Sequence, residues 1–191
     1  MGFFIIKESL KLAYELVTSK KSGPQIFYVK EALGKDGRPI NVYKVRTMYV
    51  GAEYDFSTVV GNGFDGLGKP KEDPRTSSTG KWLRRHFFDE IPQIFNMVRG
   101  DMSIVGIRPH SFQDWLIYPE DVREQVKNAA LRHKPGFFGV NYSRAGITDA
   151  RELSSVILCY LNEKEASPFW TDVKYLGRII FNIATQKVHS H

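Results

Sequence analysis

The stretch from Thr79 to Gly100, TGKWLRRHFFDEIPQIFNMVRG, does more than any other to limit what this chain can fold into. Leu83, Phe87, Ile91, Ile94, Phe95 and Val98 recur at three- and four-residue spacing and would form one helical stripe, with Thr79 placed to cap its start and Gly100 to stop it. Pro92 breaks that plan. Inside a helix it frees the carbonyl of Phe88 and pushes Ile91 away from α geometry, so the helix should kink or restart near Asp89. At roughly 100° per residue, Asp89 points about opposite the stripe and Glu90 lies on its flank. A restart would place both acids in a first turn, where unpaired N–H groups and the helix dipole lower a carboxylate's pKa and attract phosphate. Two readings stand on spacing alone: a capping acid beside a dipole-complementing one, or a reactive pair. Arg84, Arg85, Arg99 and Arg108 crowd these acids, with Asp101 close by. That density suits phosphoryl transfer, where an Asp is nucleophile, a second acid holds a divalent metal, and arginines neutralise phosphate oxygens.

Around this segment the chain reads as one α+β domain. Two strand-like runs, Gln25 to Val29 and Ile40 to Met48, flank Gly34-Lys35-Asp36-Gly37 and predict a hairpin. Alternation along the second run puts Lys44 and Arg46 on one face, about 7 Å apart. Residues 61–75, GNGFDGLGKPKEDPR, form a loop. Gly61, Gly63 and Gly66 spell G-x-G-x-x-G, but a dinucleotide fingerprint must open a helix, and two prolines follow instead. Helical runs are expected from Arg151 to Asn162 and from Asp172 to Ala184, the second with Val173, Leu176, Ile179, Ile180 and Ile183 as a core stripe. The expected architecture is helices packed around a small β-hairpin or sheet, preceded by an N-terminal amphipathic helix.

That first helix is read from Ile6, Leu10, Ala13, Tyr14 and Val17, with Lys7, Glu8, Lys11 and Glu15 on other faces, and SGP at 22–24 ends it. It either docks on the protein's own core or lies in a membrane interface, for which Phe3, Phe4, Lys20 and Lys21 are suited. Only four consecutive apolar residues run up to Lys7, so a secretory signal is not expected, and no stretch approaches the roughly 18 apolar residues of a membrane span. The expected location is cytoplasmic, peripheral on the inner face of the cell membrane. The net charge of +6 favours anionic partners. A nucleic-acid-binding domain would need a positive stripe interleaved with exposed aromatics or a docking motif, and none is seen. Cys159, the one cysteine, lies in the apolar run LSSVILCYL and is expected to be buried packing. The five histidines are scattered, and no Cys/His group has zinc-ligand spacing.

Three strings occur in sequence: GKDGRPINVYKVRTM, then EDPRTSSTGKWLRRHFFDEIPQIFNMVRGDMSIVGIRP, then RHKPGFFG. In composition and order they resemble the bacterial sugar transferases, or monotopic phosphoglycosyl transferases. The resemblance runs from about Gly23 to about Arg144, with a weaker echo in FWTDVKYL. It implies a Mg²⁺-dependent enzyme that moves a sugar 1-phosphate from a UDP-sugar to a polyprenyl (undecaprenyl) phosphate, releasing UMP and starting a surface glycan. It further implies that Asp89 attacks the β-phosphate and carries a covalent sugar phosphate, while Glu90 helps to bind magnesium. By the same matching, Lys44 and Arg46 of KVRTM, Asp73 and Arg75 of DPR, Arg85, Arg108 of IRP, Lys134 of KPG and Arg144 would bind substrate. On this reading residues 23–191 are the catalytic domain and 1–22 an attachment helix. The chain also departs from the family pattern. Residues 1–22 stand where the family normally carries a long apolar re-entrant helix. The family's Q-x-R reads VKEAL, its S-L before the acid pair is Phe87-Phe88, and its Gln-containing stretch after KPG-x-x-G is shortened to VNYSR. A non-catalytic paralogue in a glycan assembly complex is the competing reading, although such a module needs no paired nucleophile and metal ligand.

Overall fold

A hairpin of two strands, β1 (Phe27–Leu33) and β2 (Pro39–Val45), opens the described part of the chain. The computed structural model describes residues 26–52, 54–55, 65, 67, 70 and 73–188. The expected N-terminal helix within 1–22, and Gly61, Gly63 and Gly66, lie outside the described residues. The strands are antiparallel, with Phe27 opposite Val45 and Leu33 opposite Pro39. The chain reverses through Asp36 at φ 58° and Gly37 at φ 71°, left-handed conformations that a short polar residue and a glycine accept. The first strand runs past the predicted Val29 because Lys30 and Ala32 continue the ladder, and the second ends at Val45, leaving Met48 in an isolated bridge to Thr76. Val42 and Tyr43, neighbours pointing to opposite faces, are both buried, so β2 is covered on both sides.

The predicted helix over 79–100 resolves into three pieces. Helix α1 (Ser78–Arg85) is capped by Ser77, not Thr79: the Ser77 hydroxyl accepts from the Gly80 N–H at 2.9 Å. After His86 the chain turns left-handed at Phe87 (φ 61°), runs through a 3-10 segment, Phe88–Gln93, and re-enters α geometry as α2 (Ile94–Val98). Pro92 sits inside the 3-10 segment, which explains why a full α-helix does not form there. The orientation is the reverse of the one the spacing suggests. Ile91, Ile94 and Val98 are exposed, whereas Asp89, Glu90, Gln93 and Asn96 are buried. Asn96 makes the inversion possible: its side chain donates to the Asn41 carbonyl at 2.6 Å and accepts from the Tyr43 N–H at 3.3 Å, fastening α2 to β2.

Strand β3 (Ser103–Gly106) pairs in parallel with β4 (Gly136–Gly139), across a connection that contains α3 (Glu120–Leu131). The two backbones touch closely: a Cβ on Gly136 would fall 2.0 Å from the Gly106 nitrogen. Helices α4 (Ala150–Ala166) and α5 (Pro168–Ala184) finish the fold. Both start earlier than the periodicity indicates, α4 because Asp149 accepts from the N–H groups of Arg151 and Glu152, α5 because Pro168 suits a first helical position. Val105, Ile107, Trp115, Tyr118, Ile157 and Ile179 belong to the shared core. Ile179 is buried as expected, but Val173 and Ile180 of the predicted stripe face outward. Cys159 is likewise exposed, with Sγ beside a Glu163 carboxylate oxygen, because α4 turns its Ile157 and Tyr160 face to the core. The α+β expectation holds, and no described helix is long and apolar enough to cross a membrane.

Candidate active site

The buried acids of the 3-10 segment meet cations from two other elements. Asp89 and Glu90 are each 4% exposed. Lys44 of β2 donates to Glu90 Oε1 at 3.0 Å, and Arg108, two residues beyond β3, donates to the same oxygen. Pro109 restricts Arg108 to an extended backbone, and Gly139 leaves room for its stem: a Cβ there would lie 2.5 Å from Arg108 Cγ. The guanidinium also rests over the Tyr142 ring, 5.2 Å from its centroid. Behind it, His110 stacks on Trp115 at 4.6 Å. Its Nδ1 faces the Arg108 carbonyl, which only accepts, so Nδ1 carries the hydrogen and Nε2 accepts from the Tyr118 hydroxyl at 3.0 Å. Burial pulls the His110 pKa down to about 4, which keeps the ring neutral.

The electrostatics separate the two acids. Burial pushes the Asp89 carboxyl above the usual carboxylate range, opposed by Lys44 and raised further by Glu90. Its Oδ1 is buried with no hydrogen-bond partner among the described residues. Burial also lowers the Lys44 ammonium below its ordinary value, with Glu90 pulling the other way. Arg84 faces the same region. Its Nε donates to Thr47 Oγ1 at 2.8 Å, and burial lowers its pKa against the opposing pull of Asp89 and Asp73. Beside this cluster opens a cavity of about 420 Å³, lined by the cations Lys30, Lys44, Arg108, Arg144 and Lys187 over a floor that includes Ile107, Val140 and Ile157. Asp114, the one acid among the described residues of that lining, is bonded to Lys30.

Not every residue expected at the site is there. Lys44 and Arg108 converge on Glu90, and Arg144 lines the cavity while pairing with Glu152 at 2.9 Å. Asp73 and Arg75, near enough to Arg84 to act on its charge, pair with each other at 2.8 and 2.7 Å, and Arg75 also donates to the carbonyls of Ala52 and Asp55, so this pair braces a loop at the edge of the site. Arg75 holds the Asp73 carboxyl below its ordinary value. Arg46, past the end of β2, lies over the Tyr28 ring at 5.4 Å. Arg85 is exposed at the end of α1, one helical position from the inward-facing Arg84. Lys134 is exposed, with its ammonium over Gly100. Arg99 and Asp101 pair with each other at 3.4 Å. Tyr142, His110 and Lys30 carry no local signal, because the chain brings them to the site only through tertiary packing.

No group of three or more His, Cys, Asp or Glu side chains among the described residues forms a metal cage. The adjacent carboxylates nevertheless suit magnesium, which takes one or two carboxylates together with phosphate oxygens and water. The unpartnered Asp89 Oδ1 is a fitting oxygen, and Glu90 would serve once Lys44 and Arg108 turn from Oε1 toward a phosphate.

The model of the family described as bacterial sugar transferase matches residues 2–186. The chain belongs to the bacterial sugar transferase family. Among curated relatives of this sugar transferase, the galactosyl transferase CpsE of Streptococcus agalactiae serotype III is 35% identical over 161 residues, covering 82% of the chain and 34% of that protein. The UDP-glucose:undecaprenyl-phosphate glucose-1-phosphate transferase of Klebsiella pneumoniae is 32% identical over 182 residues, 93% of the chain and 36% of that protein. A putative undecaprenyl-phosphate N-acetylgalactosaminyl 1-phosphate transferase of Bacillus subtilis is 31% identical over 134 residues, 70% of the chain and 67% of its own length. The chain thus spans about a third of the first two relatives.

Proposed function

We propose that this sugar transferase moves a sugar 1-phosphate from a UDP-sugar to undecaprenyl phosphate, working from the inner face of the membrane. The observation that carries the reading is Asp89 Oδ1, a buried carboxylate oxygen without a partner, beside a Glu90 that two cations hold next to a basic cavity. The relatives' names support the donor and acceptor classes.

In the first half-reaction an Asp89 oxygen attacks the donor's β-phosphorus, the bond from that phosphorus to the bridging oxygen breaks, and UMP leaves with the bond's electron pair. In the second, an oxygen of the acceptor phosphate attacks the same phosphorus, and Asp89 departs as carboxylate. Splitting the transfer lets one phosphate-binding site serve two bulky substrates in turn. Lys44 and Arg108 take up phosphate charge, Arg108 through a planar fork that Lys does not reproduce. Arg84, Lys44 and Arg108 favour the ionised form of Asp89 that burial opposes. A magnesium ion held by Glu90, with Asp89 nearby, would neutralise diphosphate charge and stabilise the leaving UMP.

Intact-mass measurement tests this directly. Incubation with UDP-glucose, UDP-galactose or UDP-N-acetylgalactosamine and Mg²⁺ should add one sugar-phosphate mass and release UMP. Absence of adduct and of UMP with all of these donors would leave the non-catalytic paralogue as the reading.

A further inference from the structure

Tyr142 stands where the cavity meets the acid pair. It belongs to a short 3-10 turn, Val140–Ser143, and its backbone carbonyl accepts from Asn182 Nδ2 of α5 at 2.9 Å. The Arg108 guanidinium lies over its ring, and the Phe87 ring meets it in a T-shaped contact at 5.1 Å. The residue lines the cavity and is 4% exposed, yet its hydroxyl is buried with no hydrogen-bond partner among the described residues. Buried tyrosine hydroxyls ordinarily have one. Phenylalanine would supply the same ring, the same face for the cation and the same backbone anchor, so the fold gives no account of the oxygen. Arg108 Nη1 and Asp89 Oδ1 are likewise buried with no hydrogen-bond partner among the described residues.

We propose that Tyr142 reads the sugar of the donor, its hydroxyl exchanging a hydrogen bond with a ring hydroxyl of a sugar held between the cavity and Asp89. This rests on the transferase reading above. Lys44 and Arg108 already answer the diphosphate's charge, whereas a neutral group that both donates and accepts matches a sugar hydroxyl. The movable neighbour is Arg108: drawn from Glu90 toward a donor phosphate, it uncovers the tyrosine. The relatives named above differ in the sugar that their names state.

The test is Tyr142→Phe in the full chain, followed by equilibrium titration with UDP, UDP-glucose, UDP-galactose and UDP-N-acetylgalactosamine, and by thermal melting. UDP should bind parent and variant alike. The UDP-sugar the parent prefers should bind the variant about tenfold more weakly, equivalent to about 1.4 kcal/mol. The preference among the three sugars should largely disappear, while the melting temperature stays level or rises, since an unpartnered buried hydroxyl has gone. An unchanged sugar ranking in the variant, or an equal loss for UDP itself, overturns the role of Tyr142 and leaves the transferase reading standing. A parent that binds neither UDP nor any of the UDP-sugars removes that reading and this inference together.

Discussion

Residues 88–98 and helix α4 carry the same kind of pattern, apolar side chains at three- and four-residue spacing, and fold to opposite outcomes. Helix α4 buries Leu153, Ile157, Tyr160 and Leu161 and turns Arg151, Cys159 and Asn162 outward. The earlier segment exposes Ile91, Ile94 and Val98 and buries Asp89, Glu90, Gln93 and Asn96. Burying polar groups is unfavourable unless partners await them. Glu90 and Asn96 have theirs, from Lys44 and Arg108 and from the β2 backbone. Asp89 Oδ1 does not. The left-handed Phe87 just before the pair adds backbone strain, of a kind that concentrates where chemistry is done. One region is arranged for stability and the other holds reactive groups out of water, and substitution should separate them.

The largest effect is expected from Asp89→Asn, which should lower transfer on the order of 10³-fold or more and abolish the mass adduct. Its stability should move the other way. Because burial raises the Asp89 pKa in the folded state, the folded protein keeps that proton to higher pH than the unfolded chain does. Stability therefore falls as pH rises from the unfolded value, about 4, through the folded one. Melting at pH 7 should be higher for the Asn variant, and the gain should vanish below that unfolded value. A variant less stable than the parent at pH 7 would contradict the strained-acid account.

Glu90→Gln leaves Lys44 and Arg108 without their carboxylate, and denaturant titration should show a loss of about 3 kcal/mol. In α4, Ile157→Ala should destabilise by about 2–5 kcal/mol through the cavity it opens. Asn96→Ala removes two bonds to β2 and should cost about 1–3 kcal/mol. Ile91→Ala should be smallest, within about 0.5 kcal/mol, because Ile91 is already exposed. Equal losses for Ile91→Ala and Ile157→Ala would erase the contrast between the two regions.

The hairpin was legible because Gly34 to Gly37 punctuates two alternating runs, and the acid pair because Pro92 disrupts the helix just beyond it. Lys44 and Arg108 were found through their motifs, and the structure brings both to Glu90. Arg85 was expected where Arg84 faces inward: the motif gives a neighbourhood, but rotation of α1 about its axis decides which of two adjacent arginines points to the acids. Asp73 and Arg75 were read as substrate ligands and prove to satisfy each other. Periodicity misjudged 88–98, since it assumes that the apolar face turns inward.

Near neighbours along the chain therefore settled the turns and the presence of paired acids beside cations, because backbone preference and charge act over a few residues. Which face of 88–98 turned inward, which arginine met Glu90, and the meeting of Tyr142 with Phe87 and Arg108 waited on packing of distant elements. Burial energy is shared among all the surfaces that close a core, and no short stretch of chain holds that sum alone.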